Sequence, residues 1–391
     1  MEVCKKNLPG FFVSVFYFWV FVSSLYYIGN LFSGDVWASR DSNEFHKVFK
    51  YVVAFALSIS SLILLRIRYF FLYYIFLAFI FSIFAGAWLF GWNVLYAIDL
   101  LIVFISFVGM IVLVSCLDDR KLNQLIYMII ASGIFVGYFS FYEYFFLDEI
   151  LGDYWESTGG YRSISTLLNP NNLGLYMGAV ILLLFKSNVG ACYKFLLTCY
   201  FLTALMLSGS RTAVMALIVA WIISSVYFAA GRSRALSIVV WLVSIFLTSL
   251  IYIFLLNLSG LPERAVDMQT AFIRIEKYVQ YILDFNFEYF FPDVDERRFF
   301  FVSESSYFHA LNSLGLLISF LIALSFSSFF VVKPVRAMNG RPIEALRIVF
   351  VYYVVASFFE NVFMSFPNNQ LFFMSAGCVF GLRNLNATQI R

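Results

Sequence analysis

A chain of 391 residues that is 62% hydrophobic and 13% charged, with a mean hydropathy of +0.87, is far from the roughly 25% charged composition of soluble domains. Its net charge of +3 comes from basic residues scattered singly and in pairs between apolar runs, which excludes the concentrated basic face of a nucleic-acid binder. Cys4, Cys116, Cys192, Cys199 and Cys378 lie at the N-terminus or inside apolar runs with no C-x-x-C spacing, and the histidines are His46 and His309 alone. Neither a disulfide framework nor a metal centre is supported.

Lys5 and Lys6 precede an apolar run at 11–32. It is too long for a signal-peptide core and has no small-x-small cleavage site after it, so it reads as a retained first helix. Further apolar spans follow at 48–65, 69–90, 94–116, 125–147, 167–185, 192–207, 212–230, 236–256, 306–332, 346–363 and 370–382. Each of the longer ones suffices to cross the ~30 Å hydrocarbon core of a bilayer as a helix. Alternating strand patterning is absent, which excludes a barrel. The expected fold is all-α: a polytopic membrane protein of about twelve transmembrane helices, forming a single transmembrane domain over 1–391.

Charges orient this arrangement. With the N-terminus in the cytoplasm, Lys5, Lys6, Arg66, Arg68, Arg120, Lys121, Lys186, Lys194, Arg232, Arg234, Lys333, Arg336, Arg341, Arg347, Arg383 and Arg391 fall inside. The short outer connections hold only Arg40, Lys47, Lys50, Arg162 and Arg211. The positive-inside bias therefore places both termini in the cytoplasm. The longest polar segment, 257–305, carries nine carboxylates and five basic residues and becomes an outward loop between the ninth and tenth spans. No inverted repeat of broken helices marks a transporter.

Some polar residues need a reason to be where they are. Arg162 lies seven residues before Asn169-Pro170-Asn171-Asn172, where asparagine as cap and proline in the first turn are ordinary helix-start chemistry. That chemistry accounts for the asparagines and leaves the outward arginine unexplained. Arg211, in Ser208-Gly209-Ser210-Arg211-Thr212, either snorkels to headgroups or meets an anion that the small neighbours let approach. In the long loop, 271–290 is amphipathic, with Ile275, Tyr278, Val279 and Ile282 on one face and Arg274, Lys277, Tyr281 and Asp284 on another. This suits an interfacial helix, and Arg274 can grip a lipid phosphate bidentately. Glu304, Tyr307 and His309 open the tenth span; a carboxylate is favoured at a helix start in any case. Asp99, Glu143 and Glu360 are carboxylates inside or at the edge of spans, with the outward arginines as candidate partners. No P-loop, G-x-G-x-x-G, G-x-S-x-G or H-E-x-x-H is present, so nucleotide-driven transport and the common hydrolase chemistries lack support.

Arg162 followed by Asn169-Pro170-Asn171, then Ser210-Arg211-Thr212-Ala213, then an outer loop with Arg274 that ends in Glu304-Ser-Ser-Tyr307 and Gly315, together resemble the superfamily of O-antigen polymerases and O-antigen ligases. Ligases of that superfamily typically carry a histidine eleven residues before the glycine that matches Gly315, where this chain has Glu304; the acidic residue looks more like the polymerase branch. The resemblance implies an enzyme at the periplasmic face of the bacterial inner membrane that joins undecaprenyl-pyrophosphate-linked repeat units into O-antigen or a related surface polysaccharide. On that resemblance Glu304, Arg211 and Arg274 are the expected catalytic residues, Glu304 as general base and the arginines on the pyrophosphate. Arg162, Lys277, Tyr281, Tyr307, His309 and Asn171 are the expected substrate-binding residues. No cofactor or metal is implied, since the leaving group carries its own activation. The implied partners are lipid-linked glycans and membrane lipids, with a chain-length regulator and a flippase, and no nucleic acid. The alternatives are an O-antigen ligase or other lipid-linked glycan transferase, and after them a flippase or transporter.

Overall fold

The computed structural model of the protein describes residues 9–28, 44–65, 102–103, 109–111, 113–114, 117–146, 162–167, 169–229, 276–280, 283, 305–311, 313, 315–316, 319 and 341–389. Among them there are helices and no strand, so the expectation of an all-α fold is met. The long helices, in chain order, are α1 (Gly10–Ser23), α2 (Glu44–Leu65), α3 (Asp119–Phe146), α4 (Pro170–Lys186), α5 (Ala191–Ser208), α6 (Arg211–Ala229), α7 (Arg341–Ala356) and α8 (Asn368–Gln389).

α4 is the axis of the bundle. Every residue from Leu173 to Leu184 is buried, as expected of a helix that is apolar all round. It packs against α3, α5, α6, α7 and α8. Gly174 and Gly178 let neighbours approach closely: a Cβ at Gly174 would overlap the Ser210 side chain, and one at Gly178 would overlap the Tyr352 hydroxyl. Small residues four apart are a common device where helices must meet without a hydrophobic driving force.

The four-residue turn 187–190 folds α5 back along α4, and Gly209 and Ser210 lead from α5 into α6, which packs on α4 and α7. Far from that second turn, Lys186 of α4 pairs with Glu344 of α7 at 3.3 Å. The two ends of the bundle are thus distinguishable, and the segments 162–167, 209–210 and 357–367 share the end opposite this ion pair.

Two helices among the described residues, α3 and α5, are long and apolar enough to cross a membrane. α1, residues 49–60 of α2 and residues 211–223 of α6 are shorter apolar helices. An apolar groove of about 600 Å³ runs between α3 and α5, lined by Phe135, Tyr138, Leu196 and Tyr200 among others. The Tyr200 ring lies over Gly137, where a Cβ would sit 2.6 Å from it, and its hydroxyl donates to the Ile134 carbonyl at 2.8 Å. The expected spans at 69–90 and 236–256, and most of 94–116 and 306–332, lie outside the described residues.

Three expected boundaries change. The span placed at 346–363 is a helix from Arg341 to Ala356. It starts early because Pro342 suits a first turn and Glu344 favours the positive end of the helix dipole. It ends early because Phe358 and Phe359, apolar in sequence, sit in an exposed turn. The short last span at 370–382 becomes α8, of 22 residues. Its polar first turn, Asn368-Asn369-Gln370, is buried and hydrogen-bonded rather than solvated. α3 begins at Asp119, six residues before the apolar run does.

Lys50, counted above among the outward basic residues, is buried. Its ammonium donates to the Tyr27 hydroxyl at 2.7 Å and lies 5.0–5.5 Å from the ring centroids of Tyr27, Tyr51 and Phe366. Such cation–aromatic contacts each contribute about 0.5–2 kcal/mol, and here they tie α1, α2 and the α7–α8 connection together.

Candidate functional site at one end of the bundle

Helix-start chemistry begins the site. The Asn169 side chain caps α4 by accepting the Asn171 N–H at 2.8 Å, with Pro170 in the first turn. This frees the Asn171 side chain for other work. Its Oδ1 accepts from Arg162 Nη2 at 2.7 Å, and its Nδ2 donates to Glu360 Oε1 at 3.0 Å. Thr212, in the first turn of α6, donates to the same Glu360 oxygen at 3.2 Å.

Arg162 also donates from Nε to the Ser208 carbonyl at 2.7 Å. That carbonyl belongs to the last residue of α5, so the guanidinium sits against the negative end of a helix dipole. Gly209 makes the approach possible: its φ is +57°, and a Cβ there would lie 3.1 Å from Arg162 Nε. Hydrogen bonds to a charged group contribute about 1.5–3 kcal/mol each, which is enough to fix a long side chain. Arg211 opens α6 and is partly exposed. A cation at the positive end of a helix dipole is disfavoured by about 0.3–1 kcal/mol, so position alone gives it no stabilising role in the helix.

The loop that presents Arg162 is held from below. Glu143 on α3 is 0% exposed. Its carboxylate accepts from Ser163 Oγ at 2.6 Å, from the Ile164 N–H at 3.0 Å and from the Ser165 N–H at 2.6 Å. Ser165 adopts φ +50°, a left-handed conformation that costs a non-glycine residue about 1–2 kcal/mol. Bonds to the carboxylate at about 1.5–3 kcal/mol each outweigh that cost. Ser163 N–H donates to the Leu207 carbonyl at 2.9 Å, Ser165 Oγ to Val136 at 2.7 Å and Thr166 Oγ1 to Ser24 at 2.7 Å. Four residues of loop are thus stitched to α5, to α3 and to the end of α1.

A third helix start joins the cluster. The Ser306 N–H donates to the carbonyls of Ser357 at 3.0 Å and Glu360 at 3.3 Å, and Ser306 Oγ donates to Glu360 O at 3.0 Å. Ser305 Oγ donates to Ser357 O at 3.1 Å. The first turns of α4 and α6 thus reach the Glu360 carboxylate through Asn171 and Thr212, while the turn at 306–311 reaches its main-chain carbonyl. Among the described residues no three His, Cys, Asp or Glu side chains gather as metal ligands would.

The expected site residues fall into three groups. Arg162 and Asn171 are in direct contact, and Arg211 is the residue before Thr212, which reaches the same Glu360. Tyr307 and His309 lie on the 306–311 turn. The Tyr307 hydroxyl donates to the Val354 carbonyl at 2.8 Å and its ring lies 4.6 Å from that of Phe358; His309 is 2% exposed. Lys277 sits on the short helix 276–280, whose Tyr278 stacks on Phe308 at 4.3 Å, so this piece of the long polar segment packs on the 306–311 turn. Glu304, Arg274, Tyr281 and Asp99 lie outside the described residues. On that helix Val279 is exposed and Tyr278 half-buried.

Asn368, Asn369 and Gln370 carried no expectation. Asn368 accepts from Tyr353 OH at 2.8 Å and donates to the Asn172 carbonyl at 3.0 Å; Asn369 donates to Phe363 O at 3.0 Å. Gln370 accepts from Trp19 Nε1 at 3.1 Å and donates to Ser23 Oγ at 3.3 Å. The signal was in the sequence: Pro-Asn-Asn occurs at 170–172 and again at 367–369.

Comparison of the chain with protein-family models and with curated proteins gives no match.

Proposed function

We propose that the protein is a multi-pass enzyme of the bacterial inner membrane that polymerises polyprenyl-pyrophosphate-linked oligosaccharide repeat units at the periplasmic face. The observation that carries this reading is the convergence of Arg162, Asn171, Thr212 and Glu360 from four separate segments at one end of the bundle, next to Arg211. Two arginines and the starts of α4 and α6 at that end suit an anionic ligand. The apolar character of α3 and α5, and the groove between them, suit a hydrocarbon-embedded substrate.

In this reading the bundle end bearing Arg162 faces the periplasm, the Lys186–Glu344 end faces the cytoplasm, and about twelve spans bring both chain termini to the cytoplasmic side. Arg211, Arg162 and Arg274 neutralise the pyrophosphate of the donor. A hydroxyl of the acceptor sugar attacks the anomeric carbon, the bond from that carbon to the pyrophosphate oxygen breaks, and Glu304 takes the hydroxyl proton. Polyprenyl pyrophosphate leaves with the bonding electrons. Stabilising that developing charge is the arginines' contribution, about 3–4 kcal/mol for a well-placed donor. Glu360 holds Asn171, and through it Arg162, in register.

The test is deletion of the gene in the producing bacterium, followed by gel analysis of surface polysaccharide. A polymerase deletion leaves a single repeat unit on the lipid anchor. Loss of every attached repeat, with lipid-linked polymer accumulating, identifies a ligase; single units trapped inside identify a flippase. Either result replaces the reading.

A further inference from the structure

We infer that Glu143 is a positioning residue that sets Arg162 for anion binding, an inference that rests on the phosphate-binding reading above. Glu143 is fully buried, so it touches no substrate. What it touches is the segment that follows Arg162: the Ser163 hydroxyl and the N–H groups of Ile164 and Ser165. Its carboxylate has only acceptor sites, and the donors converge on it from consecutive residues, as in a backbone nest around an anion.

The path from Glu143 to the site is short. Ser163, the next residue after Arg162, gives its hydroxyl to Glu143 and its N–H to the Leu207 carbonyl, while Arg162 Nε reaches the adjacent Ser208 carbonyl. The loop thus crosses the end of α5 in one register only, with Ser165 held in a left-handed conformation that the carboxylate bonds stabilise. If the carboxylate becomes an amide, one acceptor oxygen is replaced by an N–H donor and the charge is lost, so the donors of Ile164 and Ser165 share a single neutral acceptor inside a closed interior. The loop then turns to find others, and the guanidinium leaves the Ser208–Asn171 seat. Glu143 acts on the site through the place it gives Arg162.

A double-mutant cycle separates positioning from general support of the fold, because residues that act through one another are not additive. Binding of undecaprenyl pyrophosphate to the purified full-length protein in lipid nanodiscs is measured for the wild type, Arg162→Ala, Glu143→Gln and the double variant. Arg162→Ala is expected to weaken binding about thirtyfold and Glu143→Gln about tenfold, the range of a lost charge-assisted bond. The double variant is expected to bind no more weakly than Arg162→Ala alone. Multiplied losses in the double variant, or wild-type binding by Glu143→Gln, overturn the inference and leave the functional reading standing. Absence of binding by the wild type overturns both. Should Glu143→Gln fail to accumulate, Ser163→Ala removes one donor only and takes its place in the cycle, with an expected loss of about threefold. Additivity with Arg162→Ala is again the overturning result.

Discussion

Arg162 and Glu360 are joined by the two ends of a single amide: Asn171 accepts from the guanidinium and donates to the carboxylate. Asn171→Asp keeps the shape and the acceptor but replaces the donor with a second carboxylate oxygen facing Glu360. Like charges at hydrogen-bond distance repel, and the arrangement loses about 1–3 kcal/mol. On the polymerase proposal, the expected outcome is protein that accumulates in membranes yet extends glycan at least about tenfold more slowly, read as a collapse of the polysaccharide ladder. A normal ladder from Asn171→Asp would remove this amide from the mechanism.

Gly209 should resist even alanine. Its φ of +57° and the 3.1 Å that would separate a Cβ there from Arg162 Nε act together. Gly209→Ala is expected to lower stability by about 1–2 kcal/mol and to impair extension as Arg162 shifts. Gly190, with φ −62° and its nearest Cβ neighbour 3.8 Å away, is the matched control. Thermal unfolding of both variants, alongside ladder length, decides the point; equal behaviour of the two would contradict it.

The Tyr352 hydroxyl is buried with no hydrogen-bond partner among the described residues. Tyr352→Phe should therefore leave stability unchanged or raise it, since removing an unsatisfied buried hydroxyl relieves a desolvation cost of about 1 kcal/mol. Gly178→Ala in the wild-type background drives a methyl into that hydroxyl, a clash expected to cost about 1–3 kcal/mol. Combining it with Tyr352→Phe should recover part of the loss, measurable as the midpoint of detergent-solubilised unfolding.

The proposed orientation has a direct check. In a variant whose native cysteines are replaced, Asn188→Cys, in the turn near the Lys186–Glu344 pair, should be labelled by a membrane-impermeant maleimide only from the cytoplasm. Phe358→Cys, exposed in the turn after α7, should be labelled only from outside. Labelling of both from one side would refute the arrangement of these helices.

Capping of α4 was legible because it is local: an asparagine, a proline and the apolar run that follows carry the whole argument. Arg162 and Arg211 stood out for a similar reason, as charges among apolar neighbours. The asparagine that matters chemically was harder to pick. Asn169 does the capping and so releases Asn171, yet one chain gives no sign that Asn171 will meet a residue 189 positions away. The end of α7 was misplaced because hydropathy does not distinguish a buried helical phenylalanine from Phe358, 52% exposed in a turn. Asn368, Asn369 and Gln370 were passed over because polar residues beside an apolar run read as solvated, whereas here tyrosine, tryptophan and backbone partners satisfy them inside the bundle.

α4 has a further consequence for motion. It is enclosed on all sides, its first turn carries Asn171, and its last residue is pinned to α7 through Lys186 and Glu344. A post tied at its ends and packed along its length is a poor candidate for the moving part of the bundle. On the polymerase proposal, entry of substrate and release of product then fall to segments around this column, while Asn171 in its first turn keeps Arg162 in one place.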